Sequence, residues 1–64
     1  MYNNLRKYRS KVGLTQKEIA KKINTTVRNY QYYESGERLP NVITAQRIAS
    51  ALGTTVEKLF PYKA

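Results

Sequence analysis

Apolar residues recur along this chain at helical spacing, and turn-forming residues cut the pattern into five pieces. Leu5, Tyr8 and Val12 predict a first helix from about Tyr2 to Val12, stopped by Gly13 as a left-handed cap. A second helix opens at Thr15, with Glu18 three residues on, so that each side chain can bond the other's backbone N–H. Leu14 and Ile19 flank that cap as a hydrophobic staple. Ile19, Ala20 and Ile23 then form a narrow apolar stripe, with Lys17, Lys21 and Lys22 on the outward side. A third helix starts after Thr26, another N-cap, and ends near Glu34 ahead of Gly36; its inward face holds Tyr30 and part of Tyr33. Pro40 breaks the next loop and Asn41 caps a fourth helix. There Ala45, Ile48, Ala49 and Leu52 lie at i, i+3, i+4 and i+7, the clearest core stripe in the chain. Gly53 closes it. Thr55 caps a last short helix carrying Val56, Leu59 and Phe60, which Pro61 ends.

No segment sustains the alternation of a strand. The aromatic run from Tyr30 to Tyr33 has β character, but its cap and length argue for helix. The expectation is therefore an all-α chain of five helices, and 64 residues suit a single domain, 1–64. A chain of this size buries only about 60 % of the surface its unfolded form exposes, so marginal stability is expected.

Composition narrows the chemistry. Cysteine and histidine are absent, which removes disulfides and the commonest metal ligands. No cofactor, metal or small-molecule site is expected. No run approaches the roughly 18 apolar residues of a membrane span, and no signal peptide is evident. A reducing, cytoplasmic setting is the default. The net charge is +8, and it is unevenly spread. Up to Arg28 there are eight basic residues against one acid, Glu18; from Asn29 onward there are four against three. The basic half coincides with the second and third helices, which favours a polyanionic partner; a merely soluble basic surface is the alternative.

The segment from Thr15 to Gly36 carries the functional signal. Two short helices joined by a tight turn form a helix-turn-helix, which places its second helix in the major groove of DNA. Ala20 sits where the helices would cross, and Asn24 is the natural turn residue after glycine for a positive φ. This arrangement sets Gln16 and Lys17 against the phosphate backbone. On the third helix, about residues 27–34, Val27, Arg28, Gln31 and Tyr32 lie away from Tyr30. Arginine can form two hydrogen bonds to the major-groove edge of guanine, and valine can meet a thymine methyl. Tyr32 can reach a phosphate, a base or a sugar. The bland alternative for Arg28 and Tyr32 is a solvated face with a stacking contact.

The chain resembles the Cro/Xre-type helix-turn-helix domains, the lambda-repressor-like fold of phage repressors and many bacterial regulators. The likeness runs from Leu5-Arg6-Lys7-Tyr8-Arg9 through Leu14–Ala20 and Tyr33-Glu34-Ser35-Gly36, then Leu39-Pro40-Asn41, Ile48–Gly53 and Val56–Phe60. It implies a compact five-helix domain in which Val27, Arg28 and Tyr32 read bases. It places Gln16 at a phosphate anchor that also braces the recognition helix, and Thr26 and Asn29 beside phosphate. Ser35 falls where a helix-end residue bonds the DNA backbone, and Arg38 in the following loop faces phosphate. Two departures stand out: Asn24 replaces the usual turn glycine, and Tyr30 replaces a branched aliphatic residue. The family also places a buried ion pair at the positions of Arg9 and Glu34. Spacing alone does not decide this, since Glu34 can equally pair with Arg38 at i+4.

An enzyme is disfavoured because the four acids do not converge and Glu18 is spent on its cap. The expected function is a sequence-specific regulator of transcription binding double-stranded DNA, acting as a repressor by steric occlusion of a promoter. A homodimer on a pseudo-palindromic operator is expected, because one recognition helix reads few base pairs and the C-terminal helix ends in an apolar group of Leu59, Phe60 and Tyr62; the alternative is that Leu59 and Phe60 close the monomer core, as Leu59 at least is expected to do.

Overall fold

Each helix begins or ends where a side chain or a glycine completes the backbone. The computed structural model describes residues 3–61, which form α1 (Leu5–Val12), α2 (Gln16–Lys22), α3 (Val27–Ser35), α4 (Val42–Leu52) and α5 (Val56–Leu59). No strand occurs among the described residues. Thr15 and Glu18 form the reciprocal capping box at the start of α2. Thr26, Asn41 and Thr55 accept the N–H of Asn29, Thr44 and Lys58, so α3, α4 and α5 start where the sequence predicts. Gly13, Gly36 and Gly53 end α1, α3 and α4 in the left-handed conformation.

The predicted stripes meet in one core. Leu5, Ile19, Ala20, Ile23, Tyr30, Tyr33, Ile48, Ala49, Leu52 and Leu59 pack together, with Tyr8, Leu14, Val27, Val56 and Phe60 half-buried around them. Leu59 is wholly buried. It therefore closes the core and is unavailable to a partner, while Tyr62 lies outside the described residues.

Two expectations change. Val12 is 49 % exposed and lies off the core. And α1 starts at Leu5 rather than near Tyr2, which lies outside the described residues. The two asparagines before it are spent on long-range bonds. Asn3 accepts the N–H of Leu5 (3.0 Å) and donates its amide to the Tyr33 carbonyl (3.0 Å) at the end of α3. Asn4 donates its backbone N–H to the Leu59 carbonyl and its amide to that of Lys58, both at 2.8 Å. The chain's beginning is thus tied to α3 and α5 before α1 starts. No described helix is long and apolar enough to cross a membrane.

Candidate nucleic-acid interface

The turn between α2 and α3 sets the site. Asn24 adopts φ 59°, the left-handed value that glycine or asparagine accepts most readily. The Thr25 N–H then closes back on the Ala20 carbonyl at 2.9 Å. Ala20 is buried, so α2 and α3 approach without a bulky side chain between them. Tyr30 and Tyr33 face the core, which leaves Arg28, Gln31 and Ser35 exposed and Tyr32 half-exposed on the outer side of α3. Lys17, in the first turn of α2, and Thr26, the N-cap of α3, are also exposed. Val27 is half-buried against the core, so its side chain has less freedom than that of Arg28.

Gln16 lies between the helices. Its amide donates to Glu34 Oε1 at 3.1 Å, and its carbonyl oxygen accepts from Gln31 Nε2 at 3.2 Å. The same carboxylate takes Arg9: Nε reaches Oε2 at 2.9 Å and Nη2 reaches Oε1 at 3.2 Å. Arg9 Nη1 also donates to the Leu14 carbonyl at 2.9 Å. A chain of polar contacts therefore runs Arg9–Glu34–Gln16–Gln31 and fixes α1, α2 and α3 to one another. Partial burial pushes the Glu34 carboxyl up, but the bond from Arg9, the nearby Tyr30 hydroxyl and the bond from Gln16 together outweigh it and hold its pKa below the usual 4.5. The hydrogen bond to Glu34 raises Arg9 in turn. Tyr30 brings its hydroxyl beside this pair, buried and without a well-formed hydrogen bond among the described residues. Desolvation pushes its pKa up, so it stays neutral.

A second cluster covers the other end of α3. Asn29, expected beside phosphate, has its amide engaged within the protein: Nδ2 donates to Thr25 Oγ1 (2.8 Å) and the Tyr33 hydroxyl (3.0 Å), while Oδ1 accepts from Arg38 Nη1 (2.8 Å). Arg38 also lies over the Tyr32 ring, 5.0 Å from its centroid. The Tyr32 hydroxyl accepts from Arg28 Nε at 3.2 Å. The Ser35 hydroxyl donates to the Tyr32 carbonyl at 3.1 Å. Arg6 completes the surface, since it borders the hollow lined by Gln16, Gln31, Glu34 and Ser35. Sequence reading left it out. Its position three residues before Arg9, one turn along the same helix, is the signal that points to it.

A helix with an exposed polar side, braced through a tight turn against a second helix on a basic chain, is the construction of a DNA-binding helix-turn-helix. The chain belongs to the Cro/Xre-type helix-turn-helix family, whose model matches residues 5–59. This is a family of DNA-binding transcriptional regulators, not of enzymes. The chain is 39 % identical over 57 residues to an uncharacterized HTH-type transcriptional regulator of Methanothermobacter thermautotrophicus, covering 88 % of this chain and 83 % of that one. It is 33 % identical over 60 residues to another from Archaeoglobus fulgidus, covering 94 % and 86 %. It is also 35 % identical over 51 residues to the cryptic phage CTXphi transcriptional repressor RstR of Vibrio cholerae, covering 80 % of this chain and 46 % of that protein. Among solved structures, a transcriptional regulator from Listeria innocua superposes with a TM-score of 0.83 at 26 % identity. That match covers all of this chain and 64 % of the Listeria chain, so the regulator there is the longer molecule.

Proposed function

We propose that this chain represses transcription by occupying a site that overlaps a promoter, with the polar side of α3 in the major groove. The observation that carries this reading is the exposure of Arg28, Gln31 and Ser35 on the outer side of α3. Arg28 projects from it into solvent, and Gln16 of α2 holds its middle through Gln31. In this reading Arg28 takes guanine, Val27 meets a thymine methyl, and Tyr32 stands next to Arg28, its hydroxyl on Arg28 Nε. Gln16, Lys17, Thr26, Gln31, Ser35 and Arg38, joined by Arg6, line the phosphates on either side, and Asn29 holds the frame from which they project. Repression rather than activation is favoured by the likeness to the Vibrio relative, a phage transcriptional repressor.

Selection of bound duplexes from a random pool tests the assignment. Arg28→Ala is expected to flatten preference at one base pair, a loss of about 1–3 kcal/mol, while Gln16→Ala weakens all sequences together. An unchanged preferred sequence for Arg28→Ala would remove Arg28 as a base reader.

The reading includes a two-fold dimer. Nine residues of α3 span about 13 Å, or some four base pairs, which is too short to specify a site alone. Leu39, Val42 and Ile43 are 62 %, 72 % and 63 % exposed. The first two border an apolar surface groove with Pro40, Val56 and Phe60, a face on which a second copy can pair. Analytical ultracentrifugation with and without operator is expected to show the dimer; monomer in both would refute it.

A further inference from the structure

The polar cluster on the outer end of α3 is more than a set of surface contacts, because its members form one continuous strap. The backbone anchors it first: the Arg38 N–H bonds the Tyr32 carbonyl at 3.2 Å, just beyond the left-handed Gly36 at φ 84°. From that fixed point the Arg38 side chain runs back along the helix. It crosses the Tyr32 ring and ends on Asn29 Oδ1. Asn29 cannot swing away, since both hydrogens of its amide are held, one by Thr25 in the turn and one by the Tyr33 hydroxyl. The Tyr32 ring is thereby pinned from outside, and its hydroxyl receives Arg28 Nε.

We propose that Arg38 and Tyr32 are positioning residues for Arg28, setting its guanidinium so that the Nη1 and Nη2 edge faces the groove as a fixed fork. The inference rests on the reading of Arg28 as a base contact and deepens it by naming what gives that contact its selectivity. An exposed arginine samples many rotamers, and a bidentate match to guanine uses only a few of them. Binding Nε to a pinned hydroxyl removes much of that freedom in advance and leaves the terminal N–H pair unspent. Arg38 then acts mainly through the ring it covers, with its charge as a secondary contribution to phosphate. Two predictions separate this from a plain phosphate contact or a direct Tyr32 base contact. Loss of either residue reduces discrimination at the base pair read by Arg28 and at no other. And loss of the Tyr32 hydroxyl has no effect once Arg28 is gone.

The test is duplex selection, followed by affinity measurement on the preferred site and its single-base variants. It uses the wild-type chain, Arg28→Ala, Tyr32→Phe, Arg38→Met and the Arg28→Ala/Tyr32→Phe double variant. Tyr32→Phe keeps the ring and the fold, so it stays informative even if Arg38→Met loosens the loop. Expected is a roughly five- to tenfold loss of discrimination for Tyr32→Phe and Arg38→Met at the same base pair that Arg28→Ala flattens. The double variant is expected to match Arg28→Ala alone. If Arg28→Ala flattens a base pair while Tyr32→Phe leaves it sharp, or weakens every sequence equally, the positioning role is overturned and the base contact stands. If Arg28→Ala flattens nothing, both fall together.

Discussion

At the residue scale, Glu34 decides more than any other side chain. It is the acceptor shared by Arg9 and Gln16, and its side chain is only 8 % exposed. Arg9→Ala leaves that charge short of a partner, and breaking a part-buried pair in this way costs about 2 kcal/mol. For a domain of this size that corresponds to a fall in Tm of about 10 °C, read by circular dichroism. The pH dependence follows from the direction of the Glu34 shift. Its folded pKa lies below the ordinary 4.5, so its stabilisation is complete above that value and is lost as pH falls through 4.5 toward the folded pKa. Glu18, lowered by its backbone bond to Thr15, acts in the same direction. Melting curves at a series of acidic pH values are expected to show Tm dropping for the wild type and a flatter dependence for Arg9→Ala. Equal slopes would mean the pair is not its source. Tyr30 makes the opposite case. Its buried hydroxyl has no well-formed partner, so Tyr30→Phe is expected to change stability by less than about 0.5 kcal/mol or to raise it. A loss of about 2 kcal/mol would show that the hydroxyl is bonded after all.

At the scale of elements, the helices are held in place by their ends. Asn24 carries the turn of the helix-turn-helix at a positive φ, and alanine there costs about 1–2 kcal/mol while glycine does not. Asn24→Ala is therefore expected to lower the urea midpoint and Asn24→Gly to leave it nearly unchanged. These elements were legible because caps, staples and turn residues act within about four residues of one another. Thr15 with Glu18, Thr26, Asn41 and Thr55 are all of that kind. The start of α1 was not. Asn3 and Asn4 find their partners 30 and 54 residues away, and no local rule gives an asparagine a partner at that distance. Val12 is a related case: helical spacing sets it in line with Leu5 and Tyr8, and only the packed structure shows it exposed.

At the scale of the molecule, net charge and shape act together. In the proposed complex, Arg28 of α3 acts with Arg6, Lys17 and Arg38 to offer several cations to the phosphates. Binding is expected to weaken linearly in log affinity against log salt, with a slope of about −0.9 for each phosphate neutralised. Lys17→Ala is expected to reduce that slope by about 1 and to leave the preferred sequence intact, as fluorescence anisotropy at several salt concentrations would report. An altered preferred sequence would mean that Lys17 reaches a base edge.

The sequence alone determined five helices, the caps of α2 to α5, the positive-φ turn, the core stripes and the polar outer side of α3, because each depends on neighbours in the chain. Tertiary structure decided how the polar residues of that helix divide their labour. The carboxylate of Glu34 goes to Arg9 and Gln16, the amide of Asn29 to the protein's own interior, and the ring of Tyr32 to Arg38. Those choices depend on the distances between helices brought together only by burying a common core, and spacing along the chain carries no record of them.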